Sequence, residues 1–248
     1  MRTGLEELDS ILCDLTAGHL AWLAGPYRAG KSSLLLTVAR DVALRQGLKT
    51  LVVSGDDSIR TITDWLLAAE SGVPRDRVSQ AVLSELEERR VVAAAARLEK
   101  AALQLEDARR LPREWLTLRL QYLAEGFEPD VILIDGLEGI IPQDSRDITA
   151  LDLKQLARRL ELVVMVATES TLDAIEHADV VLRLDRETLH VDLDRWLLQH
   201  PDLPESAFPQ NVLDLEVIKN RMGPRGSLSL RIRERVGRVE EWVMRSNG

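Results

Sequence analysis

The sequence contains few cysteine, histidine and aromatic residues. The shortage of cysteine and histidine limits which kinds of cross-link and metal site the protein can form. Its 248 residues include one cysteine, Cys13, and four histidines, so an internal disulfide is excluded and no Cys/His spacing indicates a zinc site. No apolar run approaches the roughly 20 residues that span a bilayer, and Met1–Glu6 carries no apolar signal segment. We therefore expect a cytoplasmic protein without a membrane partner, in which Cys13 packs as a small apolar residue.

Basic charge is scarce relative to acidic charge. The chain has 32 Lys and Arg against 41 Asp and Glu, a net charge of −9. This balance disfavours a nucleic-acid binder that works through bulk positive charge, although a local basic channel is compatible with it. With 45% hydrophobic residues, the chain suits one α/β domain over residues 1–248 with a sizeable core.

The sequence does contain a phosphate-binding loop pattern near its amino end. Gly25–Ser32 fits G-x-x-x-x-G-K-[ST], between an apolar run, Leu20–Ala24, and a helical pattern over Ser33–Gln46. In such loops, backbone N–H groups of a glycine-rich turn and the positive end of a helix surround a triphosphate. Lys31 would reach the β- and γ-phosphates, and the Ser32 hydroxyl would hold Mg²⁺. The candidate nucleotide contacts are Gly25, Pro26, Tyr27, Arg28, Ala29, Gly30, Lys31, Ser32 and Ser33.

Apolar runs alternate with helical patterns along most of the chain. Strands are predicted at Leu51–Ser54, Val131–Asp135, Leu162–Ala167 and Ala178–Leu182, and helices at Ile59–Ser71, Ser79–Arg110, Pro112–Glu125 and Asp147–Leu160. Such alternation with fully apolar strands is typical of a mostly parallel sheet flanked by helices. The carboxy-terminal strands predicted at Val212–Lys219, Ser227–Arg233 and Arg238–Trp242 indicate an antiparallel extension, and the proline-containing segment 192–211 is predicted to be a loop.

Acidic residues follow two of the predicted strands. Val131–Asp135 has the Walker B form, four apolar residues and then an acid, and in a parallel sheet its carboxyl end faces the phosphate-binding loop. Asp135 would therefore contact the Mg²⁺ shell. Asp56 and Asp57 follow Leu51–Ser54 at the same edge. They would orient or deprotonate water, or else form a turn and cap the next helix; the residues alone leave both readings open.

Further motifs extend the similarity beyond the phosphate-binding loop. In chain order, Thr3–Asp9 matches T-G-x-x-x-L-D, Ser54–Asp57 stands at the place of S-L-E-M, Ile175–Leu182 is similar to I-E-Q-D-A-D-V-V, and Lys219–Pro224 is similar to K-x-R-N-G-P. With these motifs the chain resembles the C-terminal ATPase domain of bacterial replicative DNA helicases of the DnaB type, a branch of the RecA-like P-loop ATPases. Because the first motif begins at Thr3, we expect the family's amino-terminal collar domain to be absent from this sequence.

The resemblance implies an α/β, RecA-like P-loop ATPase that uses ATP and Mg²⁺. It also implies a homo-oligomer, a hexameric ring that acts on single-stranded DNA in DNA replication. Asp56 stands at the position of the family's catalytic glutamate, and Asp135 at that of the Walker B acid. Lys219 and Arg221 correspond to finger residues that reach the γ-phosphate in a neighbouring subunit. Without the resemblance, the sequence alone would favour the interpretation that these two residues are solvated charges beside a turn.

Departures from the family pattern leave several functions open. Asp56 is one methylene shorter than the family's Glu. Glu169 stands at a sensor position that carries Gln in the family. The loop Pro142–Arg146 contains Arg146 as its one strong cation. One hypothesis is a motor that translocates on single-stranded DNA and unwinds duplex. The alternative is a helicase-derived regulatory ATPase that switches assembly or partner binding. A third is a remnant that binds ATP and barely hydrolyses it.

Overall fold

The computed structural model describes residues 1–109, 113–140, 150–170, 174–186, 193–201 and 209–242. Its strands are β1 (Leu20–Ala24), β2 (Thr50–Ser54), β3 (Leu103–Asp107), β4 (Val131–Asp135), β5 (Val163–Thr168), β6 (Val180–Asp185), β7 (Val212–Asn220), β8 (Ser227–Arg233) and β9 (Arg238–Glu241). Its helices are α1 (Glu6–Leu12), α2 (Lys31–Leu44), α3 (Ile59–Ser71), α4 (Arg75–Gln80), α5 (Glu85–Lys100), α6 (Arg113–Phe127), α7 (Leu137–Ile140), α8 (Ala150–Arg159), α9 (Ala174–His177) and α10 (Leu193–Gln199). None of these helices has the length and apolar character that crossing a membrane requires.

The described strands form one nine-stranded sheet in the order β3-β2-β4-β5-β1-β6-β7-β8-β9. Pairing is parallel from β3 through β6 and antiparallel from β6 through β9. This confirms the predicted mostly parallel sheet with antiparallel carboxy-terminal strands. Parallel strands end at a common edge, and the pairing of Ser54 with Asp135 and of Asp135 with Ala167 places the ends of β2, β4 and β5 side by side.

Apolar side chains cover both faces of the parallel strands. Every residue of β1, β2, β4 and β5 is buried, so helices are needed on both sides of the sheet. Helices α1, α2 and α3 contribute Leu8, Leu35 and Ile62 to the core on one face. Helices α6 and α8 contribute Leu120 and Leu153 to the core on the other. In β7 and β8 burial alternates along the strand, which is typical of strands covered on one side only.

The prediction of one helix over Ser79–Arg110 is wrong. The structure has α4 and α5 there, separated by Ala81 in the left-handed conformation, followed by strand β3. Ser84 starts α5 with a capping box, in which its hydroxyl accepts from the Glu87 N–H and the Glu87 carboxylate accepts from the Ser84 N–H. Strand β3 pairs with β2 along its whole length, so sheet pairing outweighs the helical propensity of this segment.

The prediction of a loop over 192–211 is also wrong in part, because α10 occupies Leu193–Gln199. Trp196 on this helix is buried and stacks on His200 with ring centroids 4.5 Å apart. Burial of the aromatic ring stabilises this helix, and the prolines that led to the loop prediction all follow it in the chain. Cys13 is exposed rather than packed, because it lies beyond the last residue of α1, with φ 59°, where the buried stripe of that helix has ended.

Candidate nucleotide site

The phosphate-binding loop joins β1 to α2, and two of its glycines are required by geometry. A Cβ atom at Gly25 would lie 2.2 Å from the carbonyl oxygen of Leu184 in β6. Gly30 has φ 100°, a conformation that side chains disfavour, and it immediately precedes the first residue of α2. The amino end of α2 therefore opens onto the loop, where its free N–H groups favour an anion. Of the other candidate contacts, Pro26, Tyr27 and Arg28 are exposed, and Ala29 and Ser33 are buried.

The Lys31 ammonium lies within this loop. Its Nζ donates to the carbonyl oxygens of Gly25, at 2.7 Å, and Pro26, at 2.9 Å. These acceptors hold the charge where a phosphate would sit, on a side chain that is partly accessible. The arrangement fits a lysine that exchanges loop carbonyls for phosphate oxygens when a nucleotide binds.

Asp135 ends β4 next to the first turn of α2. It is 2% exposed, and burial raises the pKa of its carboxyl group to about 6, while a hydrogen bond from Ser32 opposes the rise. A buried carboxylate beside a hydroxyl is an oxygen pair of the kind that Mg²⁺ prefers. The two residues predicted as metal ligands are therefore neighbours, and their chemistry fits that ion.

Asp56 follows β2 at the same edge of the sheet. Its carboxylate lies against two glycines of the segment after Asp135, since a Cβ atom at Gly136 would be 2.2 Å from Oδ2 and one at Gly139 would be 2.5 Å from Oδ1. Partial burial, and then the Glu138 carboxylate, raise the pKa of Asp56. The helix that follows is capped by Ser58, which accepts from the Thr61 N–H, so capping does not explain the Asp56 side chain.

Glu138 is a residue of this site that sequence reasoning missed. Its Oε1 accepts hydrogen bonds from the Thr168 hydroxyl and from the Glu169 N–H, the latter at 2.5 Å. Glu138 thereby links α7, after Asp135, to the end of β5. The available signal was an acid three positions beyond Asp135, in the segment Gly136–Gly139. The Glu169 side chain is exposed, and the loop Pro142–Arg146 lies outside the described residues.

Lys219 and Arg221 lie near the amino-terminal ends of the parallel strands, opposite the end that carries the phosphate-binding loop. Lys219 Nζ donates to the Ile175 carbonyl at 2.6 Å, and an Arg221 Nη donates to the Glu176 carbonyl at 2.9 Å. The Arg221 N–H also bonds the carbonyl of Asp179, just before β6 begins. The phosphate-binding loop follows the far end of the five-residue β1, about 16 Å away along the strands. The structure thus gathers Lys31, Ser32, Asp56 and Asp135, but neither Lys219 nor Arg221.

Comparison with known proteins gives matches over nearly the whole chain. Residues 1–241 match the family described as DnaB-like helicase C terminal domain. The sequence is 25% identical over 238 residues to the replicative DNA helicase DnaB of Leifsonia xyli subsp. xyli, covering 90% of this chain and 51% of that protein. It is 25% identical over 237 residues to the DnaB of Treponema pallidum, covering 92% and 53% respectively. The chain therefore spans about half the length of the curated relatives it matches.

A solved structure gives the same fold. A DnaB-like replicative helicase, whose structure was described together with its interactions with primase, superposes with a TM-score of 0.78 at 15% sequence identity. The superposition covers 97% of this chain and 61% of that one. This agreement, with the strand order above, confirms the predicted RecA-like fold class.

Proposed function

Because the chain belongs to the DnaB-like helicase C-terminal domain family, we propose that it binds ATP with Mg²⁺ and hydrolyses the γ-phosphate. One observation carries the proposal: Lys31, Ser32, Asp56 and Asp135 meet at the carboxyl edge of the parallel strands. Phosphoryl transfer needs little covalent chemistry from a protein, so positioning and charge are what these groups supply.

Each group has a distinct part in this proposal. The N–H groups at the start of α2 bind the phosphates, and Lys31 leaves the carbonyls of Gly25 and Pro26 to pair with phosphate oxygens. Ser32 and Asp135 hold Mg²⁺, which neutralises phosphate charge when bound. Asp56 orients the attacking water and accepts its proton, and its raised pKa makes it a better base than an ordinary aspartate.

We further propose that the active form is a homo-oligomer, a ring of six copies by resemblance, which acts on single-stranded DNA in the cytoplasm. The position of Arg221 supports assembly, since this cation faces away from the phosphate-binding loop of its own chain. In a neighbouring copy, Lys219 and Arg221 would stabilise charge on the transferring phosphoryl group. Both side chains donate to backbone carbonyls of α9, and Arg221 also pairs with the Asp179 carboxylate at 3.5 Å, so a phosphate would replace these contacts.

The test is ATP hydrolysis with and without single-stranded DNA, at low and moderate salt. Wild-type protein should hydrolyse ATP and be stimulated by DNA, most strongly at low salt. Lys31→Ala should lose nucleotide binding or turnover, because the loop would keep no ammonium group. Lys49→Ala, which removes an exposed lysine paired with Glu128, is the control and should behave as wild type.

Other outcomes separate the competing functions. Hydrolysis that ignores DNA would support the regulatory ATPase, and ATP binding without turnover would support the remnant. Full activity in Lys31→Ala would remove the assignment of the phosphate-binding loop.

A further inference from the structure

A cavity lies between the carboxyl-terminal ends of α2, α3 and α5. Its volume is about 550 Å³, and its charged lining residues are Arg40, Arg45, Glu70, Arg97 and Lys100. Small-molecule sites in proteins have volumes of roughly 300–1,000 Å³. Ala101 and Ala102, just before β3, also border this basic cavity. It therefore lies at the amino edge of the strands, away from the phosphate-binding loop.

Positive charge exceeds negative charge in the basic cavity, although the chain as a whole has a net charge of −9. Glu70, its acidic lining residue, already pairs through both oxygens, with Arg40 at 3.1 Å and with Arg97 at 2.7 Å. Arg45 pairs with Asp41 at 3.0 Å. Lys100 forms no ion pair with any residue that the structure describes. The lining thus offers cationic donors beyond those that the protein's own carboxylates satisfy.

Arg40 is an unusual member of this lining because its side chain is only 8% exposed. One Nη donates to the Ala69 carbonyl and to Glu70, both at 3.1 Å. The buried Nε has no hydrogen-bond partner among the described residues. Burial, and then the nearby charge of Arg238, lower the pKa of Arg40. A buried guanidinium is costly. The charge of an anion in the cavity would offset part of that cost, although the Nε itself is too buried to contact the anion.

Helix ends alone do not explain these cations. Arg97 and Lys100 lie in the last turn of α5, where the helix dipole favours positive charge. That effect concerns exposed side chains near a helix terminus. It does not account for Arg40, which lies within α2 and is buried with an unsatisfied nitrogen.

We propose that the basic cavity binds a small phosphorylated molecule, whose phosphate contacts Arg40, Arg97 and Lys100. Guanidinium groups match phosphate oxygens in a two-pronged geometry, and a lysine adds a mobile third charge. A nucleic-acid strand would instead need an extended groove that follows its backbone. The site is separate from the proposed ATP site and does not depend on hydrolysis there.

The experiment uses inorganic pyrophosphate as the probe, titrated calorimetrically without Mg²⁺ into the 248-residue chain. Lys31→Ala serves as the background, because it removes the ammonium group of the phosphate-binding loop and should weaken anion binding there. We expect saturable binding with a Kd near or below about 1 mM, weakened about tenfold by Lys100→Gln or Arg97→Gln. Arg89→Gln on the outer face of α5, where Arg89 pairs with Glu85, removes the same charge outside the cavity and should leave Kd unchanged.

Three results would overturn the proposal. The first is an equal loss of affinity in Arg89→Gln and Lys100→Gln, which would mean a diffuse charge effect. The second is no saturable binding in the Lys31→Ala background. The third is an oligonucleotide that binds this background more tightly than pyrophosphate and is weakened by the same cavity substitutions, which would identify nucleic acid as the ligand. Lys100 is exposed and unpaired in the described chain, so Lys100→Gln should fold, as a thermal melt would verify.

Discussion

At the scale of single residues, Asp135 places an ionisable group inside the core. Its buried carboxyl has a pKa of about 6, so below that pH a proton occupies the group proposed to hold Mg²⁺. Metal-dependent nucleotide affinity should therefore fall as pH drops through about 6. The proton competes directly with the metal.

The same carboxyl gives a prediction about stability without metal. Its folded pKa, about 6, exceeds the ordinary value of 3.8, so the ionised form destabilises the native state increasingly as pH rises between these values. Asp135→Asn should raise the free energy of unfolding at pH 8 by up to about 3 kcal/mol, and the gain should vanish near pH 4. Urea unfolding at both pH values, without Mg²⁺, measures this difference.

Asp76→Asn provides the control, because Asp76 is exposed and its replacement should change stability little at either pH. A gain for Asp135→Asn that is equal at pH 4 and pH 8 would contradict the proposed cost of ionisation. Added Mg²⁺-ATP should stabilise the wild type more than the variant, since only the wild type keeps the ligand.

At the scale of elements, the turn after β2 and α7 after β4 are packed too closely to admit a side chain. A Cβ atom at Gly139 would lie 2.3 Å from the carbonyl oxygen of Gly55 and 2.5 Å from Asp56 Oδ1. The position of Asp56 thus depends on what stands at residue 139. This contact lets a short aspartate occupy a fixed place beside Asp135.

Gly139→Ala should therefore displace Asp56, lower kcat for ATP at least about tenfold, and reduce stability. Gly126→Ala is the matched control, since no atom lies within 4 Å of its added Cβ. In helix α6 that change should stabilise the protein by up to about 1 kcal/mol. Steady-state kinetics and thermal unfolding of both variants test this. Unchanged turnover in Gly139→Ala would show that Asp56 is not held by this contact.

The sequence predicts those elements whose own residues form a recognisable pattern. It does not predict elements whose structure depends on pairing with another strand. Strands β1, β2, β4 and β5 are wholly buried and lie between helical patterns, so they could be predicted. Strand β3 is mostly polar, with Gln104, Glu106 and Asp107 among its five residues, and it is the outermost strand on one side of the sheet. Its pairing with β2 decides its structure, and a helical composition around it hides that pairing.

The candidate site shows the same division. The loop Gly25–Ser32 and Asp135 could be found because their spacing is itself a motif. The contact of Glu138 with Thr168 could not be predicted, because it joins helix α7 to the end of β5, 30 residues further along the chain. Arg221 lies near the amino-terminal ends of the parallel strands because β7 runs antiparallel to β6. The motif alone does not predict this direction.

At the scale of the whole molecule, the proposed finger residues and the phosphate-binding loop face opposite edges of the sheet. Arg221→Ala should lower kcat by about 10³-fold or more while leaving ATP affinity nearly intact, because a finger acts on transition-state charge. Lys31→Ala should fail through lost binding instead. Turnover and nucleotide affinity measured on each variant separate these two defects.

Mixing the two inactive variants tests whether the finger acts between chains. A subunit with Arg221→Ala keeps its loop, and a Lys31→Ala neighbour supplies an intact Arg221, so some mixed contacts should regain hydrolysis. Arg231→Ala, at an exposed position on β8, replaces Arg221→Ala in the control mixture. Co-assembly without any recovered turnover would rule out action in trans.

The separation of Arg221 from its own phosphate-binding loop has a geometric consequence. In the proposed assembly, one surface of each copy meets a different surface of the next, which is a heterologous contact. Such a contact gives the assembly a head-to-tail direction. The rotation between successive copies decides whether the chain of subunits closes on itself or grows as an open helix. Specific activity per molecule should then rise with protein concentration, since a lone copy holds only part of a hydrolytic centre.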